Sequence, residues 1–129
     1  MIEVPVSWGE MIDKITILEI KAARMSDSAK VENVRKELDL LNGKLGPARG
    51  NAVVAGLTDK LRDVNAALWD IEDEIRDCER EQDFGPRFIA LARSVYFTND
   101  KRADLKREIN LELSSGIVEE KSYKPYAPT

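Results

Sequence analysis

The sequence predicts an all-α fold: a helical bundle built on a long antiparallel two-helix hairpin, with short extended N- and C-terminal segments. Three observations predict it. Apolar residues recur at alternating spacings of three and four over four stretches of the chain, the period of one face of an α-helix. The prolines, Pro5, Pro47, Pro86, Pro125 and Pro128, stand at the borders of those stretches and interrupt none of them, as helix interiors require. The two longest stretches, Leu57 to about Gln82 and Pro86 to about Ser114, are separated only by Asp83-Phe84-Gly85, and so short a connection makes two helices antiparallel neighbours. At 129 residues the chain has room for one domain, 1–129, with 116–129 as its extended tail.

Ile2-Glu3-Val4-Pro5-Val6 is short, β-branched and contains proline, so it reads as extended, with an edge strand as one form it could take. Ser7-Trp8-Gly9-Glu10 matches a capping box, in which Ser7 accepts from the Glu10 amide and Glu10 reaches back. The helix that follows carries Met11, Ile15, Leu18, Ala22 and Met25 on one stripe, and Ile12, Ile17 and Ile20 widen it. A helix this apolar around its girth should be the central, most buried one. Ser26-Asp27-Ser28 is a turn and cap cluster. The second helix, with Val31, Val34, Leu38, Leu41 and Leu45, should stop at Gly46-Pro47. Residues 48–56 read as a loop whose second half can already be helical.

The third helix carries the cleanest pattern: Leu57, Leu61, Val64, Leu68, Ile71, Ile75 and Cys78 form an unbroken heptad seam. In the fourth, Phe88, Ala92 and Val95 begin a seam that polar residues then interrupt, before Ser114-Ser115-Gly116 closes the helix. Each long helix should run to roughly 40 Å. Their charges are opposite: from Leu57 to Asp83 there are ten acids and four bases, from Arg87 to Glu108 six bases and three acids. Opposite fields favour pairing, though each exposed ion pair contributes only about 0–1 kcal/mol.

Composition excludes several functions. A net charge of −4 argues against nucleic acid as a partner. No apolar run approaches the roughly 18 residues of a membrane span, and the start of the chain lacks a basic region. One cysteine, Cys78, permits no internal disulfide, which fits a cytoplasmic protein. The absence of histidine removes Ser-His and Cys-His triads and every histidine metal site.

The interruption of the fourth seam is the most informative polar feature. Continued from Val95, the seam lands on Asn99, Arg102 and Lys106 before Ile109, with Arg93, Tyr96 and Asn110 beside it. Cations facing a bundle interior must find partners. Either Arg93, Tyr96, Asn99, Arg102 and Lys106 form a pocket for an anionic or phosphorylated small molecule, or they form an internal salt-bridge network with acids such as Asp13, Glu19, Glu72 or Asp73. The internal network is the plainer expectation. Glu10-x-x-Asp13 and Asp70-x-x-Asp73 place carboxylates in pairs on a helical face, and four such groups could hold Mg²⁺ or Mn²⁺. All-α nucleotide pyrophosphohydrolases use related pairs at closer sequence separation, so solvated faces are the better expectation. Met11 to Arg24 faintly resembles the first helix of small helical chorismate mutases, but the arginine near its start is replaced by Glu10 or Glu3. Gly43 to Gly50 lacks the Gly-Lys-Ser/Thr ending of a phosphate loop. Cys78 reads as a structural thiol, and Trp8 and Trp69 as packing residues. No metal and no cofactor is expected.

Ile12-Asp13-Lys14-Ile15-Thr16-Ile17-Leu18-Glu19-Ile20-Lys21, then residues 68–76, then Arg93-Ser94-Val95-Tyr96-Phe97-Thr98-Asn99-Asp100 with residues 105–110, resemble a family of small proteins from bacteria and their phages. Glu119-Glu120-Lys121-Ser122-Tyr123 is similar as well. The resemblance covers nearly the whole chain. That family has no assigned function, so the resemblance implies a shared fold and no reaction, cofactor or partner. The polar residues of these stretches, among them Asp13, Lys14, Glu19, Lys21, Glu72, Asp73, Arg93, Tyr96, Asn99, Arg102 and Asn110, are expected to converge on one side of the bundle. The functional expectation is a non-enzymatic module that binds a partner protein or forms a homo-oligomer. The alternative is an anionic-ligand pocket, with metal-dependent catalysis as its extreme form.

Overall fold

Most helices begin where a side chain can cap them. The computed structural model describes residues 1–114 and 122–126. Ser7 caps α1 (Trp8–Arg24), accepting from the Glu10 amide at 3.1 Å. Asp27 caps α2 (Ser28–Asn42) by accepting from the amides of Ala29 and Lys30. A short 3₁₀ turn, Gly46–Gly50, follows. Asn51 then caps α3 (Ala52–Glu81), accepting from the Val54 amide at 3.1 Å. The start of α4 (Pro86–Glu112) has no side-chain cap and uses Gly85 followed by proline, whose missing N–H costs nothing in the first turn. The α3–α4 link turns on Gln82, at φ 55°, and on Asp83, whose carboxylate accepts from the Gly85 amide.

Among the described residues the architecture is all-helical. Central in it is α1, which packs on α2, α3 and α4, whereas α2 packs on α1 alone. Burial follows that order: Ile12, Ile15, Leu18 and Ile20 of α1 are buried, and α2 buries no residue. The apolar core joins Ile12 of α1, Val54, Leu57 and Leu61 of α3 and Ile109 of α4, with Trp8, Leu45, Leu105 and Leu113 packed around it. The most extensive contact is between α3 and α4.

Some expectations are corrected. Residues 1–6 are irregular and exposed, not a strand; Pro5 withholds a ladder donor and no strand is present among the described residues to pair with. Helix α3 starts at Ala52 rather than Leu57, because Asn51 supplies a cap and Val54 carries the seam one step further back. Helix α2 ends at Asn42, short of Gly46, although Leu45 still reaches the core from the following turn. Of the expected extended tail, residues 122–126 are irregular; 116–121 and 127–129 lie outside the described residues, as does the Ser115-Gly116 end of the α4 prediction. No helix among the described residues is long and apolar enough to cross a membrane.

Candidate functional site

Where α1 meets α4, polar side chains are buried together. Gly9 approaches so closely that a Cβ there would lie 2.4 Å from the Lys106 carbonyl oxygen. Its amide donates to Asn110 Oδ1 at 2.7 Å, so α4 supplies a second cap to the N-terminus of α1. One turn on, Lys106 Nζ donates to Glu10 Oε2 at 2.8 Å, although Lys106 is only 8% exposed. Glu10 thus completes an ion pair to α4 in addition to its place beside the cap.

Asp13 is the centre of the arrangement. It is 1% exposed and accepts from Arg102 Nε at 2.8 Å, from Arg102 Nη2, and from Asn65 Nδ2 at 2.9 Å. Asn65 also donates to Thr16 Oγ1 at 2.8 Å, and Thr16 donates to the Asp13 carbonyl at 2.8 Å. Three helices therefore share one hydrogen-bonded cluster. A buried carboxylate is tolerated only with such partners, and no buried side-chain nitrogen or oxygen among the described residues lacks one.

Arg102 and Lys106 thus face α1, and the Asp13 partner anticipated for the internal network is the one found. Arg93 and Tyr96 lie elsewhere, since Tyr96 is about 120° round the helix from Arg102. Arg93 stands over the Phe97 ring at 5.9 Å. Tyr126 from the C-terminal segment packs on Tyr96 (5.7 Å) and on Phe97 (4.7 Å). Beside this aromatic group is an open groove of about 710 Å³, lined in part by Tyr96, Asp100, Asp104, Tyr123 and Tyr126. Asn99 is half-buried. The five candidates therefore divide into an inner pair, Arg102 and Lys106, an outer pair, Arg93 and Tyr96, and Asn99 between them on the helix.

The wider convergence expected from the family-like residues does not occur. Glu19 pairs with Arg62 at 2.9 Å, Lys14 with Glu37 of α2 at 2.7 Å, and Glu72 with Arg76 at 3.6 Å. The reason is that these acids and bases lie on different sides of helices that each meet several neighbours. The Glu19 carboxylate, hydrogen-bonded to Arg62, holds that guanidinium's pKa above the ordinary arginine value against the opposing effect of burial. Asp70, one of the paired acids, accepts from Arg24. Among the described residues no three of the Cys, Asp and Glu side chains group as metal ligands. Cys78 is fully buried.

Gly9, Thr16, Asn65 and Arg62 are the contributors that sequence reading missed. Asn65 directly follows the seam residue Val64, and Thr16 directly follows Ile15. Small polar residues set inside the apolar stripe were the available signal.

Asp13, Thr16, Lys106 and Asn110 of the cluster lie in the stretches that carry the family resemblance, whereas Gly9, Glu10 and Asn65 lie outside them. A family model matches residues 2–129, virtually the whole chain. The chain belongs to DUF6165, a family of unknown function. No curated protein and no solved structure matches the chain. For this DUF6165 member the Asp13 cluster is accordingly described by its own geometry, which is that of a bonded joint between helices.

Proposed function

We propose that the protein is a single-domain, non-enzymatic cytoplasmic module that docks a helical protein on the far half of an antiparallel α3–α4 hairpin. The observation that carries this is the change in burial along the α3 seam. Leu57 and Leu61 are buried, at 8% and 0% exposure, whereas Val64, Leu68, Ile71 and Ile75 are only half-buried, before Cys78 near the end of the helix is buried again. The physical cause is the length of α1. Ile12 meets Val54, Leu57 and Leu61, and Arg24, the last residue of α1, bonds Asp70. Past Asp70 the chain of α1 turns back as α2, so α3 continues for about 16 Å without that cover.

The antiparallel reading is supported by Leu57 and Leu61 packing with Leu105 and Ile109, and by Asn51 bonding Glu112 at 3.4 Å. On α4 the facing residues Phe88, Leu91, Ala92 and Val95 are half-buried too, and Phe84 and Ile89 are exposed. Two helices alone cannot close a core, and such a face is what a helical partner covers.

The alternative, an anionic molecule held by Arg93, Tyr96, Asn99, Arg102 and Lys106, is weaker because two of its three cations already meet α1 carboxylates. The test is a photoreactive benzoylphenylalanine placed at Ile89 or Ile75 in the living source cell. Protein adducts are expected from both positions and not from Lys36, which is exposed on α2. Absence of adducts from the arm, or equal adducts from Lys36, overturns the reading.

A further inference from the structure

We infer that a cleft between α1, α3 and α4, opening beside Asn65, binds a small amine. Its ligand carries an ammonium at one end, an apolar or aromatic body, and a neutral hydrogen-bond donor at the other end. The site is independent of the docking reading and goes beyond it.

Asn65 Oδ1 is the atom that marks the site. Asn65 is 5% exposed, and its Nδ2 donates to Asp13 and to Thr16. The Asp13 carboxylate, which also accepts from Arg102, fixes which end of the amide turns toward α1. The other end, Oδ1, accepts from no described residue. Every fully buried side-chain oxygen among the described residues has a partner, so Oδ1 lies in the small part of Asn65 that solvent reaches. Asn65 lines a cleft of about 340 Å³, with Ile17 of α1, Leu68 and Trp69 of α3 and Arg102 of α4 as its walls. A carbonyl held in one direction by two bonds to α1 is an acceptor set in place before any ligand arrives.

Charge decides the class of ligand. Glu72, Asp73 and Arg76 also border the cleft. Arg102 is held by Asp13, and Arg76 meets Glu72 at 3.6 Å. Asp73 is exposed and bonds to no described residue. Three carboxylates thus stand against two guanidiniums, and the charge left over is the negative one on Asp73. One positive charge balances the site, whereas an anion meets guanidiniums that are already bonded.

Spacing decides the shape. Asp73 lies eight residues beyond Asn65 on α3, which is about 12 Å along the helix axis. A hydrogen bond at each end takes up about 2.8 Å, leaving roughly 6–8 Å between the two donor atoms of the ligand. One ammonium therefore does not serve both ends. The charged group belongs at Asp73, and beside Asn65 the Arg102 guanidinium favours a neutral O–H or N–H. Trp69, half-buried between the two ends, joins Ile17 and Leu68 as the surface for the body and gives the cation an aromatic neighbour.

Tyramine has this form, with a phenol at one end and an ammonium at the other. The test is a titration of the full chain with tyramine to about 20 mM, followed by ¹⁵N–¹H NMR. Saturable shifts are expected at the Asn65 side-chain amide, the Trp69 indole N–H and the backbone of Ile17 and residues 65–76. Half-saturation should come at about 5 mM or below, given ten non-hydrogen atoms. Phenethylamine, which lacks the hydroxyl, should bind at least threefold more weakly, and 3-(4-hydroxyphenyl)propionate should not bind. Asp73→Asn should weaken tyramine at least fivefold with unchanged helical circular dichroism. Asp63→Asn, which removes an exposed acid from another side of α3, should leave binding as it is. Absence of saturable shifts at Asn65 and Trp69 overturns the proposal. So does equal binding of the carboxylate analogue, of phenethylamine, or of tyramine to Asp73→Asn.

Discussion

Gly9 sits where α1 meets α4 backbone to backbone, and its missing side chain is what allows the meeting. A Cβ would fall 2.4 Å from the Lys106 carbonyl oxygen and 2.9 Å from Asn110 Oδ1. Neither helix can yield without disturbing the Gly9–Asn110 hydrogen bond. Gly9→Ala should therefore cost about 1–3 kcal/mol, the usual range for overpacking, read as a lowered urea midpoint at unchanged slope; a loss under about 0.5 kcal/mol would show that the approach is not tight. Asp13 poses the opposite problem, a buried charge that depends on its donors. Asp13→Ala removes the carboxylate that Arg102 and Asn65 both donate to, and should cost about 2–4 kcal/mol, toward the lower part of the range for a broken buried pair because the Arg102 side chain is 29% exposed. Arg102→Ala should cost less after Asp13→Ala than in the wild type, with a coupling of about 1–3 kcal/mol in a double-mutant cycle. Additive losses would mean that the two residues act separately.

At the scale of the elements, α2 is the outlier. It buries no residue and packs on α1 alone, its stripe of Val31, Val34, Leu38 and Leu41 only half-covered. Elements with few buried apolar contacts open first, so α2 amides should exchange with solvent at least tenfold faster than those of residues 12–20 in α1. Equal protection by hydrogen-exchange mass spectrometry would contradict the layered architecture. The same contrast explains what the sequence made legible. Its three-and-four spacing marks every helix, and the apolar girth of α1 correctly marks it as central. Ser7 and Asp27 announce their helices because capping is local chemistry. The inward polar residues were only partly legible. Arg102 and Lys106 betray themselves by breaking a seam, but Asn65 and Thr16 stand next to seam residues, where a polar side chain ordinarily faces water. Whether such a residue turns inward depends on which helix packs over it, and that is set by residues far away in the chain. Nor does local sequence reveal that Gly9 is needed for an approach from α4, since its neighbourhood already reads as a helix cap.

For the whole molecule, the question is why a charged cluster stands where apolar residues would pack. Apolar contacts among Ile12, Val54, Leu57, Leu61 and Ile109 are non-directional and would tolerate α1 sliding by a turn along α3 and α4. The bonds from Asp13 to Arg102 and Asn65, from Glu10 to Lys106 and from Gly9 to Asn110 are satisfied in one register only. Buried ionic groups are costly, and apolar replacements of similar volume often match or exceed them in stability. Their contribution here is then positional: they fix where α1 ends, and so how much of α3 and α4 it covers. The combined variant Asp13→Leu/Asn65→Leu/Arg102→Met should unfold at equal or higher denaturant concentration than the wild type, with helicity retained. Its amide NMR spectrum should nevertheless broaden or double in α1 and around residues 61–76, as the helix samples neighbouring registers. A single sharp set of resonances with wild-type contacts between Ile12 and Leu61 would show instead that apolar packing alone sets the register, and that the polar joint serves some other end.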